Sequence, residues 1–116
     1  MATAPTITLY RTGERPDVRL WLTDDADALV DLSSGYTFEF KLGTPGSAAT
    51  FTKTTGLTGA GGAGVRPTGT PNLVMTFTAA ELDGLTVGLT RGQVKATTGG
   101  KDRFWQCSVR ILDVIT

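Results

Sequence analysis

The stretch that decides the fold is YTFEFKL, Tyr36 to Leu42, in which Tyr36, Phe38, Phe40 and Leu42 fall at every second position and Thr37, Glu39 and Lys41 fill the gaps. Successive side chains of a β-strand point to opposite faces, so this alternation predicts a strand with one face buried and the other wetted, as in an antiparallel sheet. Working back towards the amino end, the turn SSG (Ser33 to Gly35) precedes it, and before that comes a short, mostly apolar run from Leu29 to Leu32 of a length that suits a strand. TDDADA (Thr23 to Ala28) reads as a turn, because Asp favours turns through its own backbone hydrogen bonds. Val18, Leu20 and Leu22 alternate with Arg19, Trp21 and Thr23, and Ile7 to Tyr10 makes a first short strand.

Working forward, the turn GTPG (Gly43 to Gly46) lets Ala48 to Lys53 pair back as a hairpin. The Gly-rich stretch TTGLTGAGGAGVRPTGTPN, residues 54–72, reads as a long loop that separates this hairpin from Leu73 to Thr78. At Thr78 the sequence TAAE forms a capping box, with a hydroxyl for the third amide and Glu81 reaching back, so one helical turn is predicted over Ala79 to Asp83. Gln93 to Thr98 is a strand that turns at Gly99 and Gly100, and the final run RFWQCSVRILDVI sets Trp105, Cys107, Val109 and Ile111 on one buried face.

These elements predict an all-β protein: an immunoglobulin-like antiparallel β-sandwich of about seven or eight strands with one short helical turn, in a single domain spanning 1–116. A small barrel is the alternative closure. A chain of 116 residues forms one core without needing a disulfide or metal to hold it. Cys107 is the only cysteine, which excludes an internal disulfide and any multi-cysteine metal site, and suits folding in a reducing compartment.

Eleven basic side chains balance eleven acidic ones, interspersed along the chain, so neither nucleic acid nor an anionic membrane is expected as a partner. No basic segment followed by an apolar one opens the chain, and no long apolar run appears, so neither a signal peptide nor a membrane span is expected. A net charge of zero gives little protection against self-association, as suits a protein that works inside an assembly.

Histidine is absent, which removes every His-based triad, general base and metal site. No serine lies in a GxSxG elbow or an SxxK pair, and the chain is read as having no enzymatic activity and no cofactor. Gly59, Gly61 and Gly64 match the spacing of a dinucleotide fingerprint, yet Pro67 and Pro71 forbid the helix such a motif needs, so they are read as a flexible surface loop. Asp24, Asp25, Asp27 and Asp31 are close enough to suggest calcium, but the Gly and Glu of a calcium loop are missing, and a solvated turn is the reading adopted.

Trp21, Trp105 and Tyr36 are the aromatic residues on which a sugar ring would stack. Trp105 and Tyr36 share parity with apolar neighbours and read as core. Trp21 shares a face with Arg19 and Thr23, opposite Val18, Leu20 and Leu22, and reads as a contact residue. Trp21 and Arg19, with Gly59, Gly61, Gly64 and Arg66 of a loop that reaches towards a neighbouring subunit, are therefore the candidate interface.

Gly13, Glu14, Pro16, Thr23, Asp24, Val30, Asp31, Leu32, Gly35, Phe38 and Phe40 follow one another in a recognisable order. It runs from a Gly-acidic-x-Pro start through a strand ending in Thr-Asp, a turn, Val-Asp-Leu and a small-residue turn to an alternating aromatic strand. This resembles the small sandwich domains of bacteriophage tails and baseplates, including the amino-terminal domain of baseplate upper proteins. TAAELDGL and the Gly-Gly turn extend the resemblance towards the carboxyl end, while the loop at 54–72 departs from it. The resemblance implies a structural virion protein, folded in the host cytoplasm, whose partners are other phage structural proteins and copies of itself. A minor tail or baseplate component is the first expectation. A capsid decoration or head-to-tail joining protein, or a module binding host cell-surface glycan, is the alternative.

Overall fold

A computed structural model describes residues 6–11, 17–44, 46–64 and 69–113. Among these, eight strands and one helix are arranged in two sheets. The strands are β1 (Thr6–Tyr10), β2 (Val18–Leu20), β3 (Thr37–Gly43), β4 (Phe51–Lys53), β5 (Leu57–Gly59), β6 (Leu73–Met75), β7 (Gly88–Thr98) and β8 (Lys101–Leu112), with helix α1 (Ala79–Asp83) between β6 and β7. The larger sheet runs β1-β8-β7-β3-β4 and the smaller runs β2-β6-β5. The all-β sandwich is therefore the architecture. One pairing differs from the antiparallel expectation: β1 lies parallel to β8, with Thr6 beside Ser108 and Tyr10 beside Leu112. A first strand that reaches a last strand from the far end of the chain has no hairpin to force it antiparallel.

The long hairpin β7-β8 is the spine of the larger sheet. Its turn is Gly99-Gly100 with φ of 56° and 77°, the pair of positive values that a two-residue turn needs to match the twist of the strands. That turn fixes the register from Thr98↔Lys101 onwards, and the register carries Val94, Ala96, Trp105, Cys107, Val109 and Ile111 to the inner face. β3 joins β7 with Phe40 beside Val94, and Phe40 is wholly buried. Gly92 makes room for it: a methyl there would lie 2.7 Å from Cys107 Sγ and 3.1 Å from the Phe40 ring. Ile7 and Leu9 of β1 complete this face, and Leu20, Leu22, Val30, Leu32, Leu73 and Met75 close on it from the other side.

Two expected elements take a different form. Leu29 to Leu32 is not a strand but a connector held by single bonds: Leu29 bridges Thr23, Val30 N–H donates to Leu22 O (3.1 Å), and Leu32 N–H donates to Ala60 O (3.0 Å). The Gly-rich segment expected as a flexible loop contains β5 and the Ala63↔Thr70 bridge. Its alternation does not show in the sequence because glycines occupy positions where a side chain would have marked the period.

The helix forms where its capping box places it. Thr78 Oγ accepts from Glu81 N–H (3.2 Å) and Glu81 Oε1 accepts from Thr78 N–H (2.8 Å). The helix buries Leu82, and Leu85 just beyond its end is buried too.

Candidate functional site

Two polar side chains inside the sandwich, Asn72 and Lys53, are committed to holding it together. Asn72, fully buried, receives Leu22 N–H on Oδ1 at 2.7 Å and donates through Nδ2 to Leu22 O (2.7 Å) and Val30 O (2.9 Å). It continues the short β2-β6 pairing past Leu20 and Leu73, tying the chain around Leu22 and Val30 to the start of β6. Lys53 is 2% exposed, and its Nζ lies 2.8 Å from both carboxylate oxygens of Glu81 and 4.9 Å from the centre of the Phe77 ring. Burial pushes the Glu81 carboxyl up, but the bonds from Lys53 and the Thr78 amide, with the Lys53 charge, hold it below the ordinary value. Neither Asn72 nor Lys53 stands out in the sequence, because Asn72 ends a loop-like stretch and Lys53 has the parity of Phe51 without its chemistry.

The expected interface residues are not brought together at one site. Arg19 is exposed on β2, on the outer face of the smaller sheet, beside Val74. Trp21 is half-buried, with its indole Nε1 shut from solvent and no hydrogen-bond partner among the described residues. Gly59 ends β5 against Leu32 O and the Phe38 ring, where even a methyl group would collide. Its use is close packing. Gly61 and Gly64 are exposed, with φ of 76° at Gly64. Arg66 lies outside the described residues, as do Gly13, Glu14 and Pro16 of the phage-like order.

The aspartates serve their own turns. Asp24 Oδ1 accepts from the amides of Ala26 (2.9 Å) and Ala28 (3.0 Å), and Asp31 Oδ1 accepts from Ser33 Oγ (2.6 Å) and Ser33 N–H (3.0 Å). The bonds from the Ser33 hydroxyl and amide lower the Asp31 pKa. Asp27, at φ 63°, supplies the left-handed residue of the first turn.

The three aromatic residues do not make one platform. Trp105 is buried and donates from Nε1 to Thr23 O at 2.8 Å. Tyr36 is only half-buried, and stacks on Phe38 with ring centres 6.2 Å apart. Both rings of that stack line an open cleft of about 650 Å³ with Glu39, Leu57, Lys95 and Asp102, at the end of β3 that β4 does not reach. Leu89, 79% exposed, and Phe104, 52% exposed, stand on the outer face of the larger sheet among Arg91, Lys95 and Arg110.

Sheet edges are the remaining surface. The larger sheet ends at β4 and β1. β4 spans three residues and carries the inward ammonium of Lys53, a combination that discourages a further strand. β1 spans five residues, TITLY, with no charge and no proline. Arg11, which follows it, is held by Asp113 (3.5 Å) and by Asp83 O (3.4 Å).

Comparison with protein-family models and with curated proteins finds no match to this chain. Among the described residues no helix is long and apolar enough to cross a membrane.

Proposed function

We propose that this chain is a structural virion protein of a bacteriophage, a minor tail or baseplate component that acts through subunit contacts. The observation that carries the reading is the pairing of a polar interior spent on structure with an uncharged, solvent-facing edge strand. Asn72 and Lys53 bind their own chain, while β1 presents a surface suited to another protein. The order of features from Gly13 to Phe40 supports the phage assignment through its resemblance to tail and baseplate sandwiches. Its partners are then other phage structural proteins and further copies of itself, and its place is the virion. The test is to band particles from the source culture by density and identify their proteins by mass. Recovery of the chain in a fixed ratio to the major tail protein is the expected result; its absence from intact particles overturns the proposal.

One observation favours a second reading, a module for host cell-surface glycan. The Tyr36–Phe38 stack borders a cleft that also offers Glu39 and Asp102 as acceptors for sugar hydroxyls. On this reading Tyr36→Ala abolishes saturable retention on host cell walls while Trp21→Ala leaves it intact. Equal retention of Tyr36→Ala and the parent protein removes it.

A further inference from the structure

We propose that β1 pairs antiparallel with β1 of a second copy, across a two-fold axis that passes beside Thr8, to join two large sheets into one. The inference rests on the assembly reading and names the surface through which two copies meet.

The direction of the backbone groups carries it. Arg11 N–H donates to Leu112 O at 2.9 Å, in continuation of the parallel ladder to β8. Backbone groups of successive strand residues face opposite edges, so those of Ile7, Leu9 and Arg11 face β8 while those of Thr6, Thr8 and Tyr10 face away. Among the described residues no strand takes up this edge's row of N–H and C=O groups, on a strand whose Thr, Ile, Leu and Tyr favour sheet structure.

The occupant is a second copy because the edge is complementary to itself. An antiparallel pair centred on Thr8 sets Thr8 opposite Thr8 and Thr6 opposite Tyr10. Every outward-facing backbone group then bonds its counterpart, since the outward residues become the hydrogen-bonded pairs. Ile7 of one copy falls opposite Leu9 of the other on the inner face, where both are buried within each sandwich, so the two cores abut. Tyr10, 40% exposed, lands beside the other copy's Thr6 on the outer face. Residues Thr6 to Tyr10 bear no charge, so no like charges oppose each other. The Arg11 guanidinium next to them is already bound to Asp113. Neither β4, with its inward Lys53, nor the three-residue edges β2 and β5 offers such a match. The contact is the same on both partners, so it closes as a dimer rather than extending as a filament.

The test uses the whole chain in solution. Mass by light scattering from micromolar to millimolar concentration is expected to show a monomer–dimer equilibrium. Thr8→Pro is expected to abolish the dimer while leaving far-UV circular dichroism unchanged, since the lost N–H faces outward and proline is tolerated there. Thr8→Lys, which sets two cations face to face, is the companion variant that loses the dimer without any change of backbone chemistry. Register is read by crosslinking. Thr8→Cys brings two Cα atoms to about 5.5 Å, within disulfide reach, whereas in Thr6→Cys the two thiols are offset by about 13 Å along the strands. Cys107 does not compete, because it is buried in the core. A monomer at every concentration, a dimer that survives both Thr8 variants, or equal crosslinking by the two cysteine variants overturns the proposal. A monomer still found in the particles refutes the self-pairing and keeps the assembly reading. A Thr8-dependent dimer missing from the particles does the reverse.

Discussion

Replacing Asn72 by leucine keeps the number and branching of the side-chain heavy atoms and deletes the amide with all of its hydrogen bonds. Three backbone groups lose a partner: Leu22 N–H, Leu22 O and Val30 O. They are not equal. Leu22 O retains the bond from Val30 N–H (3.1 Å), so its loss is the smallest, whereas Asn72 supplies the bond that satisfies Leu22 N–H at 2.7 Å. An orphaned buried group costs about 1–3 kcal/mol and a partly satisfied one less, so the sum comes to about 3–5 kcal/mol. For a domain of this size that is a fall of about 10–18 °C in Tm, and a large share of a total stability of about 5–15 kcal/mol.

Urea unfolding followed by Trp fluorescence measures it, because Trp105 is buried and its indole is bound to Thr23 O in the folded state. Asn72→Asp sharpens the experiment. A carboxylate still accepts Leu22 N–H but faces two carbonyl oxygens without a proton to offer, so it is expected to be no more stable than the leucine variant at neutral pH. A loss below about 1 kcal/mol for leucine, or a near-native Asp variant, would refute the reasoning by showing that water substitutes for the amide.

Glu81 has its carboxyl held below the ordinary value, so its ion pair contributes fully at neutral pH and is lost as the pH falls through the carboxylate range. Glu81→Gln is expected to be less stable at pH 7 by about 3 kcal/mol, through the stranded ammonium of Lys53, and to show a flatter stability profile at acid pH than the parent; urea titrations at each pH check it. Lys53→Met removes the buried charge along with its need for a partner, and is expected within about 1 kcal/mol of the parent by the same assay. Gly92→Ala drives a methyl towards Cys107 Sγ and Val109 Cγ2 (2.8 Å), and is expected to lower stability by about 1–3 kcal/mol in thermal melts. The Cys107 thiol, which burial pushes up to about 11, is expected to react with a maleimide only at the rate of unfolding, and acceleration by sub-denaturing urea would show local opening of β8 instead.

What was legible in the sequence follows the length of the strands. β3 and β8 are long enough to show several periods, so Phe38, Phe40 and Leu42, and Trp105, Cys107, Val109 and Ile111, declare their face through local alternation alone. The helix was legible for a local reason, since its capping box is made by residues three apart. β5 was hidden inside the glycines, and the connector Leu29–Leu32 looked like a strand because Val30 and Leu32 are buried at the right parity. Their status depends on what lies opposite, which no local pattern encodes. Of the expected interface, Trp21 and Arg19 were singled out by parity alone. That identifies a face but does not separate a side chain covered by its own chain from one open to a partner.

The two sheets differ in how they are held. The larger sheet has a continuous ladder of eleven paired positions between β7 and β8, so its integrity is distributed over many weak terms. The smaller sheet pairs only three residues at each of its two contacts, too few to be independently stable. It depends on long-range links instead: Asn72 N–H to Leu20 O (3.1 Å), Ala60 N–H to Asn72 O (2.9 Å), Thr76 N–H to Gly56 O (2.8 Å), and the Asn72 amide itself. Such a sheet opens before the larger one when it is perturbed, and hydrogen exchange should find the amides of Leu22 and Ala60 less protected than those of Val94 and Val109. An edge strand that recruits a second copy is useful only on a sheet that stays closed. β1 belongs to the larger sheet, so the surface offered for assembly is fixed by the part of the molecule that resists opening longest.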